Sequence, residues 1–117
     1  MKDPVWKIFS GYLLFLLLLL VCNTASSQIV VTHFNAEWNN TNKAKWIGEL
    51  TDCDITYVDI SKSPKIQKKY KVIVVPTIII FKDGEEVKRW QADLSFKMLA
   101  TRKELQESIN ELIMADF

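Results

Sequence analysis

The sequence predicts an α/β fold with the element order β-α-β-α-β-β-α, in which helices flank a small mixed sheet. Short β-branched runs alternate with helical patterns, starting with a strand over Ile29–Phe34 and a helix from Thr41 or Asn42 to about Leu50. The pair Asp83-Gly84, a strong hairpin signal, joins the last two predicted strands. Because a strand-helix-strand unit pairs its strands in parallel and a hairpin pairs them antiparallel, the sheet must be mixed.

The other elements follow from local signals. Pro64, at a first helical position, starts a short helix that ends near Tyr70. Thr101 and Glu104 form a capping box in front of the last helix, whose apolar residues recur at helical spacing. Alternating or β-branched patterns predict the remaining strands over Ile55–Ile60, Thr77–Phe81 and Glu86–Gln91.

The first 27 residues differ from the rest of the chain. Lys2 and Lys7 precede an uncharged, nearly all apolar run over Ile8–Cys22, and small polar residues follow as far as Ser27. This layout is typical of a secretory signal cleaved near Ser27, but the run also suits an uncleaved helix that anchors the chain in a membrane through residues 5–25. Either alternative predicts an exported domain, periplasmic or on the extracytoplasmic face of the membrane. Lipidation of Cys22 is disfavoured because Val21 is not small.

The remaining residues, 28–117, are the length of one domain. The whole chain has 15 basic and 14 acidic residues; without Lys2, Lys7 and Asp3 the domain has 13 of each. This balance argues against a nucleic-acid partner. We expect no cofactor, no metal site and no small-molecule substrate, since His33 is the only histidine and no ligand motif occurs.

Several short motifs occur in a characteristic order and spacing: Phe34, Ala36-Glu37-Trp38, Lys43, Pro64, Tyr70, Val75-Pro76-Thr77 and Phe81-Lys82-Asp83-Gly84-Glu85. Together they resemble the thioredoxin family, and the resemblance covers nearly all of residues 29–112. In that family an Ala-Glu-Trp-Cys-Gly-Pro-Cys-Lys stretch carries the redox pair. Here Asn39 and Asn42 stand at both cysteine positions, so the stretch Asn39, Asn40, Thr41 and Asn42 resembles a degenerate redox motif.

An amide cannot become a thiolate or form a mixed disulfide, so the resemblance without its cysteines predicts a protein that is not an enzyme. We expect a redox-inactive module that binds a protein partner, as an accessory unit or a membrane-tethered subunit of a larger complex. The alternative is a thiol redox partner acting through Cys53, the single cysteine of the domain. Asp52 and Asp54 flank this thiol and should raise its pKa, so a buried, inert cysteine also stays open.

The resemblance also implies a contact surface and a role for one buried position. It places a cis peptide bond before Pro76, facing the loop tryptophan, and His33 at the family's buried proton-transfer position. The role of His33 stays open between a structural and a pH-sensitive one. Asn39–Asn42 is either a helix-start loop or a hydrogen-bonding rim for a bound peptide. The candidate partner groove comprises Trp38, Asn39, Val75, Pro76, Thr77, Leu94, Phe96 and Met98.

Overall fold

Four strands form one sheet in the order β2-β1-β3-β4. The computed structural model describes residues 28–116. The strands are β1 (Ile29–Asn35), β2 (Asp54–Asp59), β3 (Thr77–Lys82) and β4 (Glu85–Gln91). The helices are α1 (Pro64–Lys69) and α2 (Arg102–Met114), and two 3-10 helices occupy Glu37–Asn42 and Lys45–Glu49.

The strand directions confirm the predicted mixed sheet. β1 runs parallel to β2 and antiparallel to β3, and β3 runs antiparallel to β4. The hairpin between β3 and β4 turns at Asp83 and Gly84, whose φ values of 54° and 86° are both positive. Two left-handed residues match the twist of the paired strands, which explains why Asp-Gly predicts this turn so well.

The sheet buries one apolar cluster on each face, because side chains alternate along each strand. On the first face, Ile78 and Ile80 of β3 pack with Leu105 and Ile109 of α2. On the second face, the members are Phe34, Ala36, Ile60, Val72, Val75 and Ile79, with Val58, Tyr70 and Phe81 packed against them. α2 therefore covers the first face, while the segment that contains α1 covers the second.

The segment after β1 is not the single helix that the sequence predicts over residues 41–50. Lys43 and Ala44 have extended backbone conformations and separate two 3-10 helices. The backbone N–H of Ala44 donates a hydrogen bond to Nε2 of His33 at 3.1 Å. The extended backbone at Lys43 and Ala44 interrupts the helix. His33 supplies an acceptor for an N–H group that the first turn of a helix starting at Thr41 or Asn42 would leave without an intrahelical partner.

The predictions for the first 27 residues lie outside the described residues. They comprise the hydrophobic N-terminal helix, the boundary between segment 1–27 and domain 28–117, the membrane segment 5–25 and the state of Cys22. Across residues 28–116, no helix combines the length and apolar character that spanning a bilayer requires.

Candidate functional site

A buried amide network lies where β1 ends and the first 3-10 helix begins. The side chain of Asn39 is only 3% exposed. Its Nδ2 donates to Oδ1 of Asn35 at 3.1 Å, to the carbonyl of Val75 at 3.3 Å and to the carbonyl of Phe96 at 3.2 Å. Its Oδ1 accepts a 2.8 Å hydrogen bond from Asn42. One amide therefore connects three segments that are far apart in the sequence.

An aromatic pair lies beside this network. Trp38 is 64% exposed, and its ring meets the ring of Phe96 edge-on with centroids 5.2 Å apart. Phe96 has a positive φ of 63° in a short loop where Asp93 Oδ1 accepts hydrogen bonds from Ser95 and Lys97. The loop therefore holds Phe96 against Trp38 and its carbonyl against Asn39.

The structure brings together only some of the residues predicted for the partner groove. Val75 joins Trp38, Asn39 and Phe96, and its bond to Pro76 is cis. Pro76 and Thr77 are buried beneath this surface. Leu94 is 92% exposed, whereas Met98 packs against the core cluster on the first face. Asn40 and Thr41 are exposed on the first 3-10 helix.

The side chain of His33 is buried on the first face of the sheet, which the second 3-10 helix partly covers. Burial, together with the charge of Lys43 and against the effect of its own backbone hydrogen bond, lowers the pKa of His33 from 6.5 to about 4. Its ring lies 5.9 Å from the ring of Tyr57, its neighbour on β2. The imidazole is therefore neutral at pH 7 and acts as a hydrogen-bond acceptor for Ala44.

An open groove of about 880 Å³ extends from His33 along β2. Its floor and walls include His33, Asn35, Ala36, Glu37, Asn40, Lys43, Ala44, Lys45, Ile47, Tyr57, Val58, Asp59 and Lys62. The sequence did not single out Tyr57 or Lys45. The alternating pattern over β2 placed Tyr57 on one face of the sheet, but only the structure shows that this face is left open.

Cys53 lies at the other end of the sheet from Asn39. It directly precedes β2, which is paired from Asp54 beside Val30 to Asp59 beside Asn35. Five strand steps at about 3.3 Å separate those ends by roughly 16 Å. The sulfur is half-buried at the edge of the first core cluster. Burial, Asp54 and Asp52 raise the pKa of the Cys53 thiol, as the flanking aspartates predicted.

The fold defines an α/β protein with a mixed four-stranded sheet, and comparison with known proteins gives its family. Residues 21–110 match the Thioredoxin family model, and the chain belongs to the thioredoxin family. Thioredoxin from Chlamydia trachomatis is 37% identical over 57% of this chain and 72% of its own length. Thioredoxin from Mycobacterium tuberculosis is 38% identical over 56% of this chain, which spans only 62% of that relative.

Solved structures agree on the fold. Thioredoxin from Schistosoma mansoni has a TM-score of 0.58 at 25% identity, covering 82% of this chain and 87% of its own. A mutant thioredoxin from Halobacterium salinarum has a TM-score of 0.60 at 23% identity, covering 74% of this chain and 75% of its own. The predicted thioredoxin-like fold is therefore confirmed.

Three predictions are corrected by these relatives. The chain was expected to be a redox-inactive binding or accessory module and not an enzyme, but the relatives it matches are named thioredoxins, which supports thiol redox chemistry instead. The predicted exported, periplasmic location is wrong on the same comparison, since the bacterial relatives bear the plain name thioredoxin. The predicted location was based on residues 1–27 alone. The prediction of a redox-inactive module that is not an enzyme was based on the asparagines at positions 39 and 42.

Proposed function

We propose that this chain exchanges thiols and disulfides with a protein partner, and that Cys53 is the reacting thiol. The observation that carries the proposal is a half-buried cysteine that forms no disulfide within residues 28–116, in a domain whose relatives are named thioredoxins. We further propose that Asn39 and Asn42 occupy the positions of the family's two cysteines. Their amides form no thiolate, so the exchange falls to Cys53.

The proposed reaction has two balanced steps. The Cys53 thiolate attacks one sulfur of a partner disulfide, a new disulfide forms to Cys53, and the partner's other sulfur leaves as a thiolate. That leaving thiolate takes up the proton which Cys53 gave to solvent. A second thiol, from the partner or from a small thiol, then attacks the partner's sulfur in the mixed disulfide. It forms a new disulfide with that sulfur, and Cys53 leaves as a thiolate that takes up the proton of the attacking thiol.

The raised pKa of Cys53 decides how this exchange would behave. At pH 7 only a small fraction of the thiol is ionised, so attack is slow. A more basic thiolate is also the poorer leaving group. In a mixed disulfide with a more acidic thiol, an incoming thiol therefore attacks the Cys53 sulfur preferentially and displaces the partner's thiolate, whereas release of Cys53 itself is slow. The raised pKa therefore slows both the attack by Cys53 and the return of Cys53 to its reduced form.

The proposal is tested by incubating the reduced full-length chain with glutathione disulfide under native conditions and following intact mass. We expect one glutathione adduct on the Cys22→Ser variant, whose only thiol is Cys53, and at least one on the wild-type chain, which has two cysteines. The double variant Cys22→Ser with Cys53→Ser, which has no thiol, should show no adduct, and adding dithiothreitol should restore the starting mass of the Cys22→Ser variant.

Two results would overturn the proposed function. One is the absence of an adduct on Cys22→Ser after prolonged incubation at pH 8, where the thiolate fraction is larger. The other is an adduct that forms only in urea, since it would show that the folded domain withholds its sulfur from disulfides.

A further inference from the structure

The two edges of the sheet are protected to different degrees. β4 forms one edge and carries Glu85, Glu86, Lys88 and Arg89, and its ladder with β3 shifts register near Ile80. Charges and bulges of this kind discourage pairing with another strand. β2 forms the other edge, its ladder with β1 is regular, and its central residues Ile55, Thr56, Tyr57 and Val58 are uncharged. Within residues 28–116, no strand pairs with its outer side.

The groove described above lies beside the C-terminal half of this unprotected strand, where Tyr57, Val58 and Asp59 line it. His33 of β1 and Tyr57 of β2 are register partners on the same face, and Tyr57 is 63% exposed. The two short 3-10 helices leave the space above them open, whereas a continuous helix would fill more of it. An extended segment that pairs with β2 would therefore place alternate side chains in this groove.

The charges around the groove are not balanced. Lys43 and Lys45 are exposed on its helical wall, and neither forms an ion pair among the described residues. Of the two lining carboxylates, Glu37 lies 3.9 Å from Lys62. Asp59 accepts hydrogen bonds from the backbone and hydroxyl of Ser61. Two lysines are left without an anion, so the groove favours acidic side chains.

We propose that the outer edge of β2 binds an extended acidic peptide segment of another protein by strand addition. Backbone hydrogen bonds to β2 would hold the segment, and its alternate carboxylates would reach Lys43 and Lys45. Self-association through this edge is less favourable, because a centred antiparallel pairing of two copies sets Asp54 opposite Asp59 at both ends. The proposal goes beyond the thiol exchange and does not depend on Cys53.

The test is fluorescence anisotropy with a labelled peptide of about seven residues in which valine and glutamate alternate. Two further peptides are compared: one with lysine in place of glutamate, and one with the glutamates kept but alternate backbone nitrogens methylated. We expect the full-length chain to bind the first peptide only, because the second reverses the charge and the third removes the ladder donors.

Paired variants separate this site from general attraction to lysines. Lys43→Glu with Lys45→Glu should weaken binding by at least about tenfold. The matched control, Lys68→Glu with Lys69→Glu, changes two exposed lysines of α1 and should leave the affinity within about twofold.

Four outcomes would overturn the proposal. They are no binding of the acidic peptide at millimolar concentration, equal binding of the methylated peptide, equal losses in the two variant pairs, and dimers of the chain that the peptide does not dissociate. Loss of thiol exchange in Cys53→Ser with unchanged peptide binding would leave it standing, so the two proposals fail separately.

Discussion

Replacing Asn39 with aspartate should destabilise the domain by about 3–5 kcal/mol at pH 7, a range typical of an uncompensated buried charge. Asn39 donates through Nδ2 to Asn35, to the Val75 carbonyl and to the Phe96 carbonyl. A carboxylate has no proton to donate, so these acceptors would face a negative charge in a site that is nearly closed to water. Urea denaturation of the wild-type chain and Asn39→Asp measures the loss.

The pH dependence of that loss distinguishes buried charge from simple misfit. Burial raises the folded-state pKa of the introduced carboxyl above its unfolded value, so the deficit should shrink as pH falls toward 5. Asn40→Asp is the matched control, because Asn40 is the exposed neighbour on the same 3-10 helix and should change stability by less than about 0.5 kcal/mol. A loss below about 1 kcal/mol for Asn39→Asp at pH 7 would show that the network contributes little.

The second large effect is a loss of folding stability at acidic pH. His33 has a pKa of about 4 in the folded state and 6.5 as its ordinary value, because burial disfavours the charged imidazole. Between these values the unfolded chain binds a proton that the native domain does not. The contribution of His33 is therefore fully present above pH 6.5 and is lost as pH falls toward 4, by roughly 2–3 kcal/mol.

The measurement is the free energy of unfolding of the wild-type chain and His33→Gln at several pH values from 7 to 4. Glutamine can still accept from the Ala44 N–H but does not titrate, so the difference between the two curves isolates the imidazole. Asp59, Glu86 and Asp93 have lowered pKa values and act mainly below this window in both proteins. If the free energies of unfolding of the two proteins changed in parallel with pH, the acid effect could not be assigned to His33.

Local signals predicted most of the fold. The Asp83-Gly84 turn formed as expected, and Thr101 caps α2 by accepting from the Glu104 N–H at 3.2 Å. β2 begins at Asp54, one residue before its predicted start. The helix after β1 was the principal error. Its apolar spacing is helical, but the hydrogen bond from Ala44 to His33 joins residues 11 apart and has no signature in a local pattern.

The site was harder to predict, because its contacts also join residues that are far apart in the sequence. An asparagine in a polar loop indicates a cap or an exposed rim, yet Asn39 is buried because Phe96, 57 residues away, closes over it. The flanking aspartates did predict a raised pKa for Cys53. The open edge of β2 depends on strand order and on what covers the strand, so alternation within β2 alone could not indicate it.

The most direct test of thiol exchange through Cys53 is the pH dependence of its reaction with dithiodipyridine, followed by absorbance in the full-length Cys22→Ser variant. We expect a rate that is proportional to reagent concentration and rises about tenfold per pH unit from 7 to above 8.5, slower at pH 7 than the same chain in urea. A rate independent of reagent concentration would mean that Cys53 reacts only after unfolding. A plateau below pH 8 would mean that its pKa is not raised. The first result would contradict exchange by the folded domain, and the second would contradict the proposed slow attack by a thiol of raised pKa.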